Sequence, residues 1–363
     1  MNKRKMKIVL AIFVVSIILA SCANSPASNF SSKVEESNTS TKEDGSSKLG
    51  EGKTVALVCD EAGTQVFILS MIDGLNETAE TYGFTPIIAE CGDSAAYEDN
   101  INALIQEGTD LIIVGGWQGV DALNKGATQF PDAADYAIID STIEAENVKS
   151  ISYREQEGAF LIGMMGAYVA DENENTFGAI HVNQGPGSWK WRYGYMEGVK
   201  SVYPDAEFIF NYTGNFNDPA KAKEYALLQA EQGCSFINGA SAGGDIGVFE
   251  AALEKGFYTS GQDEDLTNPE NPYIISSQIK DTNVTIKYLL EKYFTEDWNG
   301  EDEVWGLEEG TIGAVYATHN SDNPMSDRLS EEELNKVKEA VEDIRSGKID
   351  LTQMPEEENY ENQ

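Results

Sequence analysis

Apolar runs of strand length alternate with amphipathic helical stretches from Thr54 onward, and this rhythm limits the chain to few folds. The runs TVALVC, TPIIAE, DLIIVG and YAIIDS are each followed by a helix-like segment. In EDNINALIQEG, for example, Ile101, Leu104 and Ile105 share one face. Continuous apolar strands joined by helices predict a parallel sheet covered on both faces. A second series follows, TFGAIHV, EFIFNYTG, CSFINGA and GFYTSGQDED. Its helices include DPAKAKEYALLQAEQG, where Asp218 suits the N-cap and Pro219 the first helical position. The expectation is an α/β protein of two lobes in series.

SYREQEGAFLIGMMGAYVA joins the two series, and its small and apolar residues predict a closely packed helix. Toward the end, LSEEELNKVKEAVEDIRSGK predicts an amphipathic helix. Ser330 and Glu333 suit a capping box, with Leu334, Val337, Val341 and Ile344 as the apolar stripe. The tail, 351–363, reads as frayed.

The chain begins MNKRKMKIVLAIFVVSIILASCANS: a basic start, an apolar run from Ile8 to Ala20, then small residues before a cysteine. The run is short for a membrane span and fits a secretory signal over residues 1–21. LASC matches a bacterial lipobox with Cys22 as the acylated residue; the alternative is a plain signal with an incidental cysteine. Residues 22–52, rich in Ser, Asn, Glu and Gly, predict a flexible tether, with an interaction tail as the alternative. The expected location is extracytoplasmic, lipid-anchored to the bacterial cell membrane.

Roughly 310 residues then remain, enough for two ordinary cores. The formal charge is −37, and removal of the leader's Lys3, Arg4, Lys5 and Lys7 takes it to about −41. Such a field repels nucleic acid and disfavours a phosphorylated ligand, while tolerating neutral or cationic solutes. Besides Cys22 only Cys59, Cys91 and Cys234 are present, so no disulfide framework is legible. Cys59 and Cys91 close successive strands, which leaves either a bridge or two buried free thiols. His181 and His319 are the only histidines and stand apart, which argues against a zinc site or a Ser-His-Asp triad. No metal or cofactor is expected.

VALVCD, YAIIDS, SISYREQEGAFLIG, YGYMEGVKSVYPDAE, NYTGNFNDPAKAKEYALLQAEQG, GVFEAALEKG and SGQDED occur in that order. On them the chain resembles the basic membrane protein family, the purine-nucleoside-receptor-like substrate-binding lipoproteins of ABC transporters. The likeness runs from Thr54 to about Asp350. It implies a type I periplasmic-binding fold, two Rossmann-like lobes hinged around a cleft. The first lobe would span 53–150 plus about 265–295, the second 151–264 plus about 296–350. It further implies a monomer that passes a purine nucleoside to an ABC permease and carries out no catalysis.

Carried over residue by residue, the resemblance places Asp60 and Asp140 as pocket acids and Phe67 as the aromatic stacked on a base. Asp263 would hold ribose hydroxyls, and Lys280 would donate to an oxygen or pair with the acids. Gly116 and Trp117, and Gly243 in ASAGGD, would line the two walls, where glycine lets backbone amides approach a ligand. A carboxylate suits vicinal hydroxyls because its two oxygens accept both protons, each bond contributing about 1.5–3 kcal/mol. Stacking a base on an aromatic ring contributes about 1–3 kcal/mol in nucleic-acid sites.

Four departures bear on the ligand. The first loop, DEAGTQVFIL, is shorter than the family's, and Ile68 and Leu69 replace the Asn and Gln that normally follow the aromatic. A family aromatic is replaced near Asn238, while GPGSWKWRYGY offers Trp189 or Trp191 as a new stacking face. Gln262 is an unusual neighbour for Asp263. These changes keep ribose recognition and put the base in question, so a sugar or signalling molecule is the alternative ligand. A nucleoside hydrolase is a third reading, disfavoured because no nucleophile–base pair is recognisable.

Overall fold

A computed structural model of the chain describes residues 47–171, 175–296 and 298–360. The leader, Cys22 and the tether as far as residue 46 lie outside the described residues. The chain runs β1 (Thr54–Asp60), α1 (Val66–Tyr82), β2 (Thr85–Cys91), α2 (Ser94–Glu107), β3 (Leu111–Gly115), α3 (Val120–Gln129), β4 (Asp135–Ile139) and β5 (Val148–Tyr153). It continues with α4 (Glu155–Val169), β6 (Thr176–His181), α5 (Pro186–Lys200), β7 (Glu207–Tyr212), α6 (Pro219–Glu231), β8 (Phe236–Ala240), α7 (Asp245–Lys255), β9 (Tyr258–Asp263) and β10 (Ile274–Lys280). Last come α8 (Thr282–Thr295), β11 (Glu303–Trp305), β12 (Ile312–Ala314), α9 (Glu331–Arg345) and the short α10 (Glu357–Tyr360).

These strands form two six-stranded sheets, β11-β5-β4-β3-β1-β2 and β12-β10-β9-β8-β6-β7. Within each, five strands repeat the order 2-1-3-4-5 in parallel; β11 joins the first in parallel and β12 the second antiparallel. All eight strands expected from the apolar runs are present. The two lobes are one topology used twice.

Both faces of each sheet are covered, as the unbroken apolar runs require. In β1, Val55, Leu57 and Cys59 pack under α1 and α8, while Ala56 and Val58 pack under α2 and α3. Cys91 lies on the second of these faces and Cys59 on the first. The pleat therefore points the two thiols apart, and both are free. Burial raises the Cys59 pKa to about 12, so this thiol is inert.

The lobe boundaries differ from expectation. β10 stays in the second sheet, α8 packs on the first lobe against α1, and β11 extends the first sheet beside β5. The returning segment is thus residues 282–305. The chain crosses between lobes three times, at β5–α4, β10–α8 and β11–β12. The tether also ends earlier than residue 52: Gly50 is buried, its N–H donating to Tyr82 O at 2.8 Å.

Helix α4 has almost no exposed residue because it lies between the second sheet and α5. Gly163, Gly194 and Gly198 let these helices meet backbone to backbone. A methyl group at any of them would run into a carbonyl oxygen, of Tyr195, Gln156 or Phe160 respectively. Asp218 caps α6, accepting from Lys221 N at 3.0 Å, and Ser330 and Glu333 form the expected capping box.

The tail is not frayed over its described length, which ends at residue 360. Leu351 is buried, and Pro355 O accepts from Trp189 Nε1 at 2.8 Å. Glu357 accepts from Arg192 at 2.5 Å, and Tyr360 O–H donates to Glu197 at 2.6 Å. Arg192 is 1 % exposed, so removing its partner strands a buried charge. Deletion from Gln353 onward is expected to lower urea stability by on the order of 3 kcal/mol. An unchanged midpoint would make the tail a passenger.

Candidate ligand-binding cleft

The carboxyl ends of both sheets face one cleft. In open α/β sheets such ends, at the point where strand order reverses, are where ligands bind. Here the reversal lies between β1 and β3 in one lobe and between β6 and β8 in the other. From the first lobe the cleft is lined by Gln65, Phe67, Ile68, Gly116, Trp117, Gln118 and Asp140. The second lobe contributes Glu155, His181, Asn183, Ser188, Trp191, Phe216, Gln262, Asp263 and Lys280, among others.

The duplication explains two of the acids. Asp140 follows β4 and Asp263 ends β9, equivalent positions in the two lobes. Both adopt left-handed backbone, with φ of 70° and 71°. Asp tolerates this conformation better than most residues, and it turns each carboxyl off the strand end toward the cleft. β3 and β8 likewise each lead into a one-turn 3-10 helix, Trp117–Gly119 and Ala242–Gly244.

Lys280, at the end of β10, is the electrostatic centre. Its Nζ donates to Asp140 Oδ1 at 2.9 Å and lies 3.6 Å from Glu155 Oε1. It also stands 4.8 Å from the Phe67 ring centre and 5.5 Å from that of Trp191. Burial opposes its charge, but Asp140, Glu155 and Asp263 together outweigh burial and hold it above the ordinary lysine value. Glu155 is buried too, and there Lys190 (3.1 Å) and Lys280 overcome the burial and keep its carboxyl below the usual range. Burial dominates at Asp140 and lifts it to about 6 against the pull of Lys280.

Asp263 is 2 % exposed, and its Oδ2 accepts from Gln262 Nε2 at 3.1 Å. Its Oδ1 has no hydrogen-bond partner among the described residues. Burial raises its pKa, with Lys280 and Gln262 opposing. Behind it, Asp245 opens α7 and accepts from Ser241 N (2.8 Å) and Oγ (2.6 Å). Burial lifts Asp245 to about 7 despite those bonds, and Asp263 adds to the rise.

A pH dependence follows. Asp140, Asp245 and Asp263 hold protons in the folded state that the unfolded chain has released, so stability falls as pH rises from about 4 to about 7. Glu155, Asp110, Glu303 and Glu357, held low, act in the opposite sense, and their contribution is lost only below about pH 4. Burial also holds His181 and His319 below the ordinary histidine value, which offsets part of this between pH 8 and 5.5. The three aspartates outweigh them, so urea unfolding should show a more stable protein at pH 5.5 than at pH 8. Asp245→Asn, which keeps the acceptor toward Ser241, should narrow the difference; equal midpoints at both pH values in the unsubstituted protein would contradict the account.

Of the residues expected at the site, Phe67, Gly116, Trp117, Asp140, Trp191, Asp263 and Lys280 line the cleft. Four do not. Asp60 lies on the α2 side of β1, in register with Cys91, and accepts from Glu61 N at 2.9 Å as a cap on its own loop. Trp189 packs under the tail against Tyr193 and Tyr360. Asn238 is buried within β8, accepting from Ser260 Oγ at 2.7 Å. Gly243 sits where the lobes touch beside the cleft, next to Thr64 and Asn217, whose side chains meet at 3.3 Å.

Glu155, Lys190 and His181 were not anticipated. The first two belong to the joining helix and to the Trp-rich helix, where each reads as one more surface charge. His181 ends an apolar strand, the one signal that could have marked it.

The family described as ABC transporter substrate-binding protein PnrA-like matches residues 53–346. The chain belongs to that family. Basic membrane protein A of Borreliella afzelii is 30 % identical over 273 residues, 72 % of this chain and 82 % of that protein. Basic membrane protein A2 of Borrelia garinii is 29 % identical over 280 residues, 75 % and 82 % of the two chains. An ABC transporter solute-binding protein of Aeropyrum pernix superposes with a TM-score of 0.76 at 24 % identity, covering 85 % of this chain and 96 % of its own. The PnrA-like protein is therefore a substrate-binding protein with the expected two-lobed periplasmic-binding fold. No described helix is long and apolar enough to cross a membrane.

Proposed function

We propose that this protein is a receptor, lipid-anchored through Cys22, that closes around a purine nucleoside and passes it to an ABC permease. One observation supports the ligand class above the others: the buried Asp263 Oδ1, lacking a partner in a cleft that Phe67 and Trp191 also line. A buried acceptor without a donor costs about 1–3 kcal/mol, and ligand hydroxyls would remove that cost. Aromatic walls suit a flat base, and a neutral nucleoside is compatible with a chain of net charge −37. Contacts from both lobes would favour closure.

Inosine, guanosine and adenosine should each be assayed by thermal shift beside D-ribose and D-allose. A ligand at about a hundred times its Kd adds roughly 2.7 kcal/mol of apparent stability. A shift with at least one nucleoside is expected; a shift with sugars alone would replace the nucleoside by a sugar. Release of free base during incubation would make the protein an enzyme rather than a receptor.

A further inference from the structure

His181 ends β6 and faces the cleft, yet the ion network around Lys280 does not use it. Its side chain is 2 % exposed, and Nε2 has no hydrogen-bond partner among the described residues. The ring rests between Phe210 and Tyr212, with centroid distances of 5.9 and 6.4 Å. The Arg192 guanidinium lies over the same two rings at 5.8 and 5.7 Å and is paired with Glu357 of the docked tail. The aromatic pair and the fixed cation hold the imidazole in place. Burial, reinforced by Arg192, takes its pKa down to about 3, so the ring stays neutral at any physiological pH.

A neutral imidazole nitrogen buried without a partner is costly, and such groups in native proteins call for an explanation. Its position in the cleft wall, in the same lobe as Trp191 and Asp263, supplies one. We propose that His181 is a ligand-recognition residue of the second lobe, its Nε2 making one hydrogen bond to an uncharged polar group of the bound solute. This rests on the nucleoside reading, in which Asp263 takes the ribose and the base edge is left for His181. Ile68 and Leu69 offer that edge no hydrogen bond from the first lobe. Because the imidazole is neutral, it selects for a neutral ligand group rather than for an anion.

The chain has only two histidines, so imidazole nitrogen NMR of the purified protein gives an uncrowded readout. The His181→Phe spectrum assigns the pair. Saturation with whichever of inosine, guanosine, adenosine, D-ribose or D-allose binds should shift His181 Nε2 and leave His319 in place. His181→Phe should bind that solute at least tenfold more weakly with unliganded stability kept or raised, while His181→Gln should stay within about threefold. Unmoved His181 resonances at saturation, or wild-type affinity in His181→Phe, would overturn the proposal. If only a sugar binds, the nucleoside reading fails while the His181 contact is tested with that sugar. Binding of none of the five would sink both.

Discussion

Replacing Lys280 by alanine should destabilise the unliganded protein by about 3–5 kcal/mol at pH 8. Lys280 Nζ pairs with Asp140 at 2.9 Å and shares Glu155 with Lys190. Without it two carboxylates face each other across the cleft, and only Glu155 keeps a lysine. Asp140 would then bind a proton more readily still, because its folded-state pKa is already about 6 with the lysine present. The loss should therefore shrink at pH 5.5, where the proton is available, and grow as pH rises. Lys280→Met retains apolar contact with Phe67 and Trp191 but strands the same acids. Pairing it with Asp140→Asn, which tolerates the φ of 70° and removes one stranded charge, should recover much of the stability. Urea titrations at the two pH values test this; a Lys280→Ala midpoint equal to wild type at pH 8 would refute it.

The second large effect is on binding. Asp263→Asn should weaken ligand affinity by roughly a hundredfold or more, the loss of two charge-assisted hydrogen bonds of about 1.5–3 kcal/mol each. Asparagine tolerates the φ of 71°, so backbone strain does not confuse the result as it would with alanine. Unliganded stability should move the other way. Burial raises the Asp263 pKa, so the ionised carboxylate is a burden on the folded state above the ordinary Asp range, and the neutral amide relieves it. Calorimetric titration and unfolding of one variant give both signs. Weaker binding with equally weakened folding would mean a merely structural aspartate.

Pattern alone carried the architecture a long way. Unbroken apolar runs such as VALV cannot be half-exposed strands, so they required sheets covered on both faces, and both sheets are. The capping box at Ser330 and the cap at Asp218 were legible because capping is decided within four residues. β5, β10, β11 and β12 escaped notice. KSISY and IISSQIK carry polar residues at buried positions whose partners are distant in sequence, as when Ser276 Oγ donates to Val315 O.

At the cleft the division is similar. Sequence placed Asp140 and Asp263 at strand ends, where the topology brings every such end to one surface, and only the family resemblance marked Lys280. It could not decide which way a side chain leaves that end. A one-residue change of pleat sends Asp60 to the α2 side and Cys59 to the opposite face. Left-handed backbone at Asp140 and Asp263 turns those acids inward instead. Nor could it tell Trp191 from Trp189, two residues apart on one helix: the first lines the cleft, and the second lies under a tail that only tertiary contacts hold. Local chemistry determined the elements and their caps. The meeting of Glu155, Lys190, His181 and Arg192 depended on distances across the sheet and between lobes, which exist only once the chain has closed on itself.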